Sequence, residues 1–137
     1  MNPAEASDAF RHHLIICAQI LIYIIGLTWF LWVFNTLFLG KALDDHLGIR
    51  PRKLEGLWGI AFSPLLHADI DHLVGNTKAF LVMGGLVLLK GLEDFTVVTL
   101  TAAFVGGLGT WLFGRDNSIH IGASGVIFGC LGFSLLR

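Results

Sequence analysis

The amino-acid sequence predicts an all-α fold, a polytopic bundle of membrane-spanning helices, and three observations support this prediction. Of the 137 residues, 55% are hydrophobic and only 14% are charged, whereas soluble domains carry about 25% charged residues. The mean hydropathy is +0.75. Four apolar segments alternate with polar ones, and no repeat or linker divides them. We therefore expect a polar N-terminal tail over residues 1–13 and one membrane domain over residues 14–137.

The first apolar segment runs from Leu14 to Leu39, and its only strongly polar interruptions are Gln19 and Asn35. It exceeds the ~20 residues that a helix needs to cross a bilayer. It is also too long for the core of a signal peptide, and no small-residue cleavage site follows it. The segment is therefore predicted to be a retained, tilted first helix.

Residues 40–70 mix charged side chains with large apolar ones. This mixture is typical of a loop that lies partly in the lipid headgroups. Trp58 fits such a position, because tryptophan is enriched at the membrane–water boundary. We expect an interfacial loop between the first and second spans.

The remaining spans are predicted over residues 71–89, 95–113 and 122–137, with a short turn over residues 114–118. The last span has about 15 residues, fewer than the ~20 of a full crossing. Its start is therefore expected below the membrane surface. Four spans place both termini on the same side, but the distribution of Lys and Arg between the loops does not decide which side.

Charge and cysteine content exclude several classes of function. The formal net charge of −1 gives no indication of a nucleic-acid partner. Cys17 and Cys130 both lie in apolar segments, which is typical of core packing rather than of a disulfide or a metal site. We predict no cofactor and no bound metal, and the oligomeric state is left open.

The most informative motif is Gly122-Ala123-Ser124-Gly125 at the start of the fourth span. A serine nucleophile needs an accessible hydroxyl and nearby backbone donors for the oxyanion. The first N–H groups of a helix are unpaired, and glycines allow a substrate backbone to approach. The alternative is helix packing, since Gly125 and Gly129 form a small-xxx-small pattern that Gly132 extends.

A second motif, His72 and Asn76, lies at the start of the second span. Residues four apart lie on one face of a helix. Both side chains can donate a hydrogen bond, as an oxyanion requires. The alternative is that these side chains only satisfy polar groups of the neighbouring loop.

Other polar residues near these motifs leave further alternatives open. His67, Asp69, Asp71 and His72 could bind a cation, although Asp69 and Asp71 could equally cap a helix. Lys78, inside the second span, could extend towards the membrane surface or face a wet cavity. His120 lies four residues before Ser124 and could contact the mouth of the site.

Together, the two motifs resemble those of the rhomboid intramembrane serine proteases. That family has Gly-x-Ser-Gly at the start of its fourth helix, matched here by Gly122 to Gly125. It has His-x-x-x-Asn at the start of its second helix, matched by His72 and Asn76. A histidine five residues further upstream is also common in the family and matches His67. The resemblance extends from the first span to the last residue.

The resemblance implies a core of six transmembrane helices, of which this chain would carry the first four. It implies cleavage of peptide bonds in or near transmembrane segments of protein substrates, in a lipid bilayer. Ser124 would be the nucleophile, His72 and Asn76 would stabilise the oxyanion, and a histidine on the sixth helix would be the base. The protein would be a multi-pass protein of the cell membrane with a cytoplasmic N-terminus.

Three departures from the family pattern qualify this expectation. The fifth and sixth helices and the catalytic histidine are absent from the sequence, so we expect a fragment that is inactive alone. The family's Trp-Arg pair is replaced by Trp58-Gly59, and Lys78 replaces an apolar residue. Two other functions stay open: a rhomboid-like protein that binds membrane proteins without cleaving them, and a small cation channel or transporter subunit.

Overall fold

The computed structural model describes residues 2–137 and consists of helices joined by short loops. Two single turns of 3-10 helix, Leu54–Leu57 and Ser63–Leu65, accompany six α-helices. The α-helices are α1 (Pro3–Phe38), α2 (Ala42–Leu47), α3 (Trp58–Phe62), α4 (Ile70–Lys90), α5 (Leu92–Phe113) and α6 (Ser124–Leu136). Of these, α1, α4 and α5 are long and apolar enough to cross a membrane, and α6 is a shorter apolar helix. The expected all-α membrane bundle is confirmed, and the chain is an integral membrane protein.

Helix α1 begins eleven residues before the predicted start, so most of the polar segment 1–13 is helical. The side chain of Asn2 accepts the N–H of Ala4 at 2.7 Å, and Glu5 accepts the N–H of Asn2 at 2.9 Å. This reciprocal pair is a capping box. Pro3 follows at the first helical position, where its missing N–H costs nothing.

The three long helices and the shorter α6 share one apolar core. Helix α6 packs against α4 and α5, and α1 packs against α4. Both cysteines are free and lie in this core. The core's buried residues are Cys17, Phe80, Val87, Leu88, Phe95, Val126, Ile127 and Cys130.

The segment between α1 and α4 lies against the turn between α5 and α6. Ile49 and His120 exchange two backbone hydrogen bonds of 2.9 Å, which form an isolated antiparallel bridge. The guanidinium of Arg52 donates to the carbonyls of Leu112 and Gly114, both at 2.7 Å. These carbonyls lie at the C-terminal end of α5, which lacks intrahelical partners and favours a cation. The predicted interfacial loop is therefore hydrogen-bonded to the end of the bundle where α6 begins.

Candidate active site

Ser124 is the first residue of α6, and its side chain is exposed. It lines a cavity of about 140 Å³ between α5, the turn at Ser63 and Pro64, and the start of α6. The backbone N–H groups of the first turn of a helix have no intrahelical partner. The serine hydroxyl and the first turn of α6 therefore lie together at an open cavity, and the role of Ser124 as a nucleophile stays a prediction.

Gly122 connects the serine motif to the histidine–asparagine motif. Its φ of +121° is a conformation that only glycine adopts without strain. A methyl group at this position would lie 2.5 Å from Cε1 and 2.7 Å from Nε2 of His72, and 3.4 Å from Nδ2 of Asn76. Only a residue without a side chain allows the ring of His72 to approach the segment leading into Ser124, and Asn76 lies at ordinary contact distance beside it.

His72 and Asn76 project from the first two turns of α4 towards Gly122. The side chain of Asp69 caps this helix by accepting the N–H of His72 at 2.8 Å. This assigns Asp69 the capping role that the sequence left open, whereas Asp71 lies inside the helix. The structure thus places His72 and Asn76 of one motif against Gly122 of the other, and the chemical roles of these residues stay predictions.

His67 belongs to the same cluster. It is 3% exposed, and its Nε2 lies 3.0 Å from Nδ2 of Asn76. Its ring contacts that of His72 edge to face, with the ring centroids 5.2 Å apart. Burial, and to a smaller extent the neighbouring His72, lowers the pKa of His67 to about 4, so the ring is neutral at pH 7. The sequence offered no sign of this contact beyond a family spacing.

His120 lines the same cavity as Ser124, but its ring nitrogen has another partner. Nε2 of His120 lies 2.8 Å from the hydroxyl of Ser118. Across residues 2–137, the hydrogen bonds of histidine rings join them to Cys17, Ser118 and Asn76, and none joins Ser124.

The cation-binding alternative receives no geometric support. In the described part of the chain, no three His, Cys, Asp or Glu side chains form a group able to hold a metal ion. The side chains that the sequence suggested are otherwise engaged, since His67 contacts Asn76 and Asp69 caps α4. Lys78 is exposed on α4.

The departure at Gly59 has a packing reason. A methyl group there would collide with the backbone of Gly48 and Ile49. The segment preceding the bridge to His120 therefore passes directly over this glycine. An arginine, which the family pattern has at this position, would require that segment to move.

Comparison with known proteins identifies the family of this chain. The family model described as Rhomboid domain matches residues 54–137, which is more than half of the chain and includes both motifs. The chain therefore belongs to the rhomboid family. No solved structure matches it significantly.

Individual relatives differ in how much of their own length this chain matches. An uncharacterized protein of Mycobacterium tuberculosis strain H37Rv is 51% identical over 102 residues, covering 71% of this chain and 42% of that protein. YdcA of Bacillus subtilis, named as a candidate rhomboid protease, is 31% identical over 118 residues, covering 82% of this chain and 59% of that protein. Rhomboid protease GluP of Bacillus subtilis is 38% identical over 80 residues, covering 57% of this chain and 15% of that protein. The chain thus spans less than two thirds of each of these relatives.

Proposed function

We propose that this chain supplies the nucleophile and oxyanion site of a rhomboid-type intramembrane serine endopeptidase. The substrates are membrane proteins, cleaved in or near their transmembrane segments, and the enzyme lies in the cell membrane with a cytoplasmic N-terminus. One observation carries the proposal: Gly122 joins the two motifs, with His72 and Asn76 packed against the residue two positions before Ser124. Family membership supports the same reaction class.

The proposed reaction begins when Oγ of Ser124 attacks the carbonyl carbon of the scissile peptide bond. A base takes the hydroxyl proton, and the carbonyl oxygen becomes an oxyanion. Asn76, His72 and the backbone N–H of Ser124 would donate hydrogen bonds to that oxyanion, because they converge on the same end of α6. The base then gives the proton to the departing amine, and water hydrolyses the acyl-enzyme.

We assign the base to a histidine beyond residue 137, on a later helix. The ring of His120 contacts Ser118, and that of His67 contacts Asn76. His72 is needed at the oxyanion in this scheme. A serine without a base is a weak nucleophile, so the 137-residue chain alone is expected to be inactive.

Labelling with a fluorophosphonate probe tests this proposal. The 137-residue chain in membranes should not react, whereas a chain extended through two more helices of its own reading frame should react and cleave a transmembrane substrate. Ser124→Ala should abolish both activities. Ser134→Ala is the matched control, because Ser134 lies on the same helix and its buried hydroxyl has no hydrogen-bond partner among residues 2–137; both activities should persist.

The oxyanion assignment is tested in the same extended protein. His72→Ala and Asn76→Ala should each lower kcat by ~10 to 10³. An extended chain that binds transmembrane proteins but never cleaves them would instead support the non-catalytic function. Labelling of Ser124 in the 137-residue chain would show that the base lies within it and would contradict our assignment.

A further inference from the structure

The side-chain nitrogen of Asn76 has two neighbours. Nδ2 lies 3.0 Å from Nε2 of His67 and 3.4 Å from the point that a methyl group at Gly122 would occupy. A carboxamide nitrogen carries two hydrogens. If one is donated to His67, the second is free for an acceptor above Gly122. The direction of the Asn76 amide therefore depends on an acceptor at His67.

A neutral imidazole has one nitrogen that accepts and one that donates. When Nε2 of His67 accepts, the nitrogen of Asn76 must face His67 and Gly122. When Nε2 carries the proton, it must donate to the oxygen of Asn76, and the amide turns over. The oxygen would then occupy the place beside Gly122, where it would repel an oxyanion. The protonation of Nε2 of His67 thus determines whether Asn76 attracts or repels an oxyanion beside Gly122.

The ring of His67 is enclosed by its surroundings, and its Nδ1 is buried without a hydrogen-bond partner among residues 2–137. The residue is almost completely buried, and the ring of His72 packs against it edge to face. His67 also follows the turn Ser63–Leu65, and the carbonyl of Ser63 accepts the N–H of Gly122 at 2.8 Å. One short segment therefore contacts both the Gly122 backbone and the Asn76 side chain.

We propose that His67 is a positioning residue for the oxyanion site: its Nε2 accepts one N–H of Asn76 and directs the other towards the position above Gly122. This inference rests on the proposed role of Asn76 in peptide-bond cleavage. His67 itself makes no contact with substrate in this assignment. Its function is to select one of the two orientations of a neighbouring amide.

The first test uses the 137-residue chain in lipid nanodiscs and does not depend on proteolysis. ¹⁵N NMR of labelled histidine should show Nε2 of His67 unprotonated at pH 7, with a coupling across the hydrogen bond to the Asn76 amide. Asn76→Ala should remove that coupling and leave the His120 signals unchanged. A protonated Nε2 in a folded chain would overturn the inference.

The second test measures kinetics in the extended, active protein. His67→Ala should lower kcat about 10-fold and leave KM nearly unchanged, since amide orientation acts on the oxyanion. His67→Gln should recover most of kcat, because its amide oxygen can accept the same N–H at every pH. In the Asn76→Ala background, His67→Ala should have no further effect on kcat.

These outcomes separate the inference from the proposed function. Independent effects of the two substitutions, or a His67→Gln variant as slow as His67→Ala, would overturn the positioning role while leaving the protease intact. Cleavage that persists in the Ser124→Ala variant would contradict the assignment as a serine protease, and with it the role of His67 in catalysis. The NMR experiment would still determine how His67 orients Asn76 in that case.

Discussion

The carbonyl of Ser63 accepts the backbone N–H of Gly122 at 2.8 Å. Ser63 lies in the loop before α4, and Gly122 lies two residues before the start of α6. The bond therefore fixes the approach to Ser124 relative to the loop that contains His67. Because Gly122 also contacts His72, its position is restricted both by the loop at Ser63 and by helix α4.

We predict that Gly122→Ala disrupts the site more than any other single methyl addition to the motif. The new methyl would meet the ring of His72 and would require a left-handed backbone, which costs about 1–3 kcal/mol in a residue other than glycine. The melting temperature in detergent should fall, and probe labelling of the extended protein should be lost.

Gly125→Ala is the matched control for stability. In the described structure no atom lies within 4 Å of a methyl group at Gly125, so its melting temperature should stay near that of the wild type. Equal melting temperatures for the two variants would contradict the close packing of Gly122 against His72.

A second pair of glycines tests the packing of α6 against α5. A methyl group at Gly129 would collide with the side chain of Ala102 on α5, whereas one at Gly132 meets no described atom within 4 Å. Gly129→Ala should destabilise the bundle by roughly 1–3 kcal/mol. Gly132→Ala should be neutral or slightly stabilising, because alanine favours helix more than glycine does.

Thermal unfolding of the two purified variants measures this difference. The sequence left helix packing through Gly125, Gly129 and Gly132 open as the alternative to a catalytic role of the motif. Of these three glycines, only Gly129 would bring an added methyl group against α5, whereas a methyl group at Gly125 or Gly132 would lie in open space. A Gly132→Ala variant as unstable as Gly129→Ala would show that this face has a partner outside the described contacts.

A third prediction concerns membrane topology. Asp45 and Asn117 are both exposed and lie in the two segments joined by the Ile49–His120 bridge. Single cysteines at these positions, in a background with Cys17 and Cys130 replaced by alanine, should be labelled by an impermeant maleimide from the same side. A cysteine at Glu93, exposed at the start of α5, should be labelled from the opposite side. Labelling of Asp45 and Asn117 from different sides would contradict the arrangement of spans.

The sequence predicted the fold because membrane helices leave strong, local signals of length and hydrophobicity. Hydropathy does not indicate the start of α1, because residues 3–13 are polar; the capping signal Asn2-Pro3 followed by Glu5 does indicate it. The sequence also did not indicate which polar residue of α1 is buried. Gln19 is exposed, whereas Asn35 is buried and bonds to Asp44 and to the N–H of Leu43.

The residues of the site were predictable, but the contacts between them were not. Helical spacing places His72 and Asn76 on one face, since both belong to a regular helix. His67 lies in irregular backbone before α4, so its distance from Asn76 depends on dihedral angles that spacing does not determine. The contacts of Arg52 with the end of α5 also link residues about 60 positions apart, and Arg52 itself has a φ of +57°.

The last prediction is a pH dependence of stability that originates in His67. Its pKa is about 4 in the folded chain, against 6.5 for an ordinary histidine. The unfolded chain therefore binds more protons than the folded chain between these values. The contribution of His67 to the free energy of unfolding is fully present above pH 6.5 and is lost as the pH falls towards 4. The loss is at most roughly 3 kcal/mol.

Melting temperatures of the wild type and His67→Gln, measured in detergent from pH 7.5 down to pH 4.5, isolate this contribution. The wild type should lose more stability on acidification than the variant, because glutamine does not titrate. Burial raises the pKa of Asp44, which contributes in the opposite direction, but this contribution is common to both proteins and cancels in the comparison. Parallel curves would mean that His67 is accessible to protons in the folded chain, and its burial beside Asn76 and His72 would then be wrong.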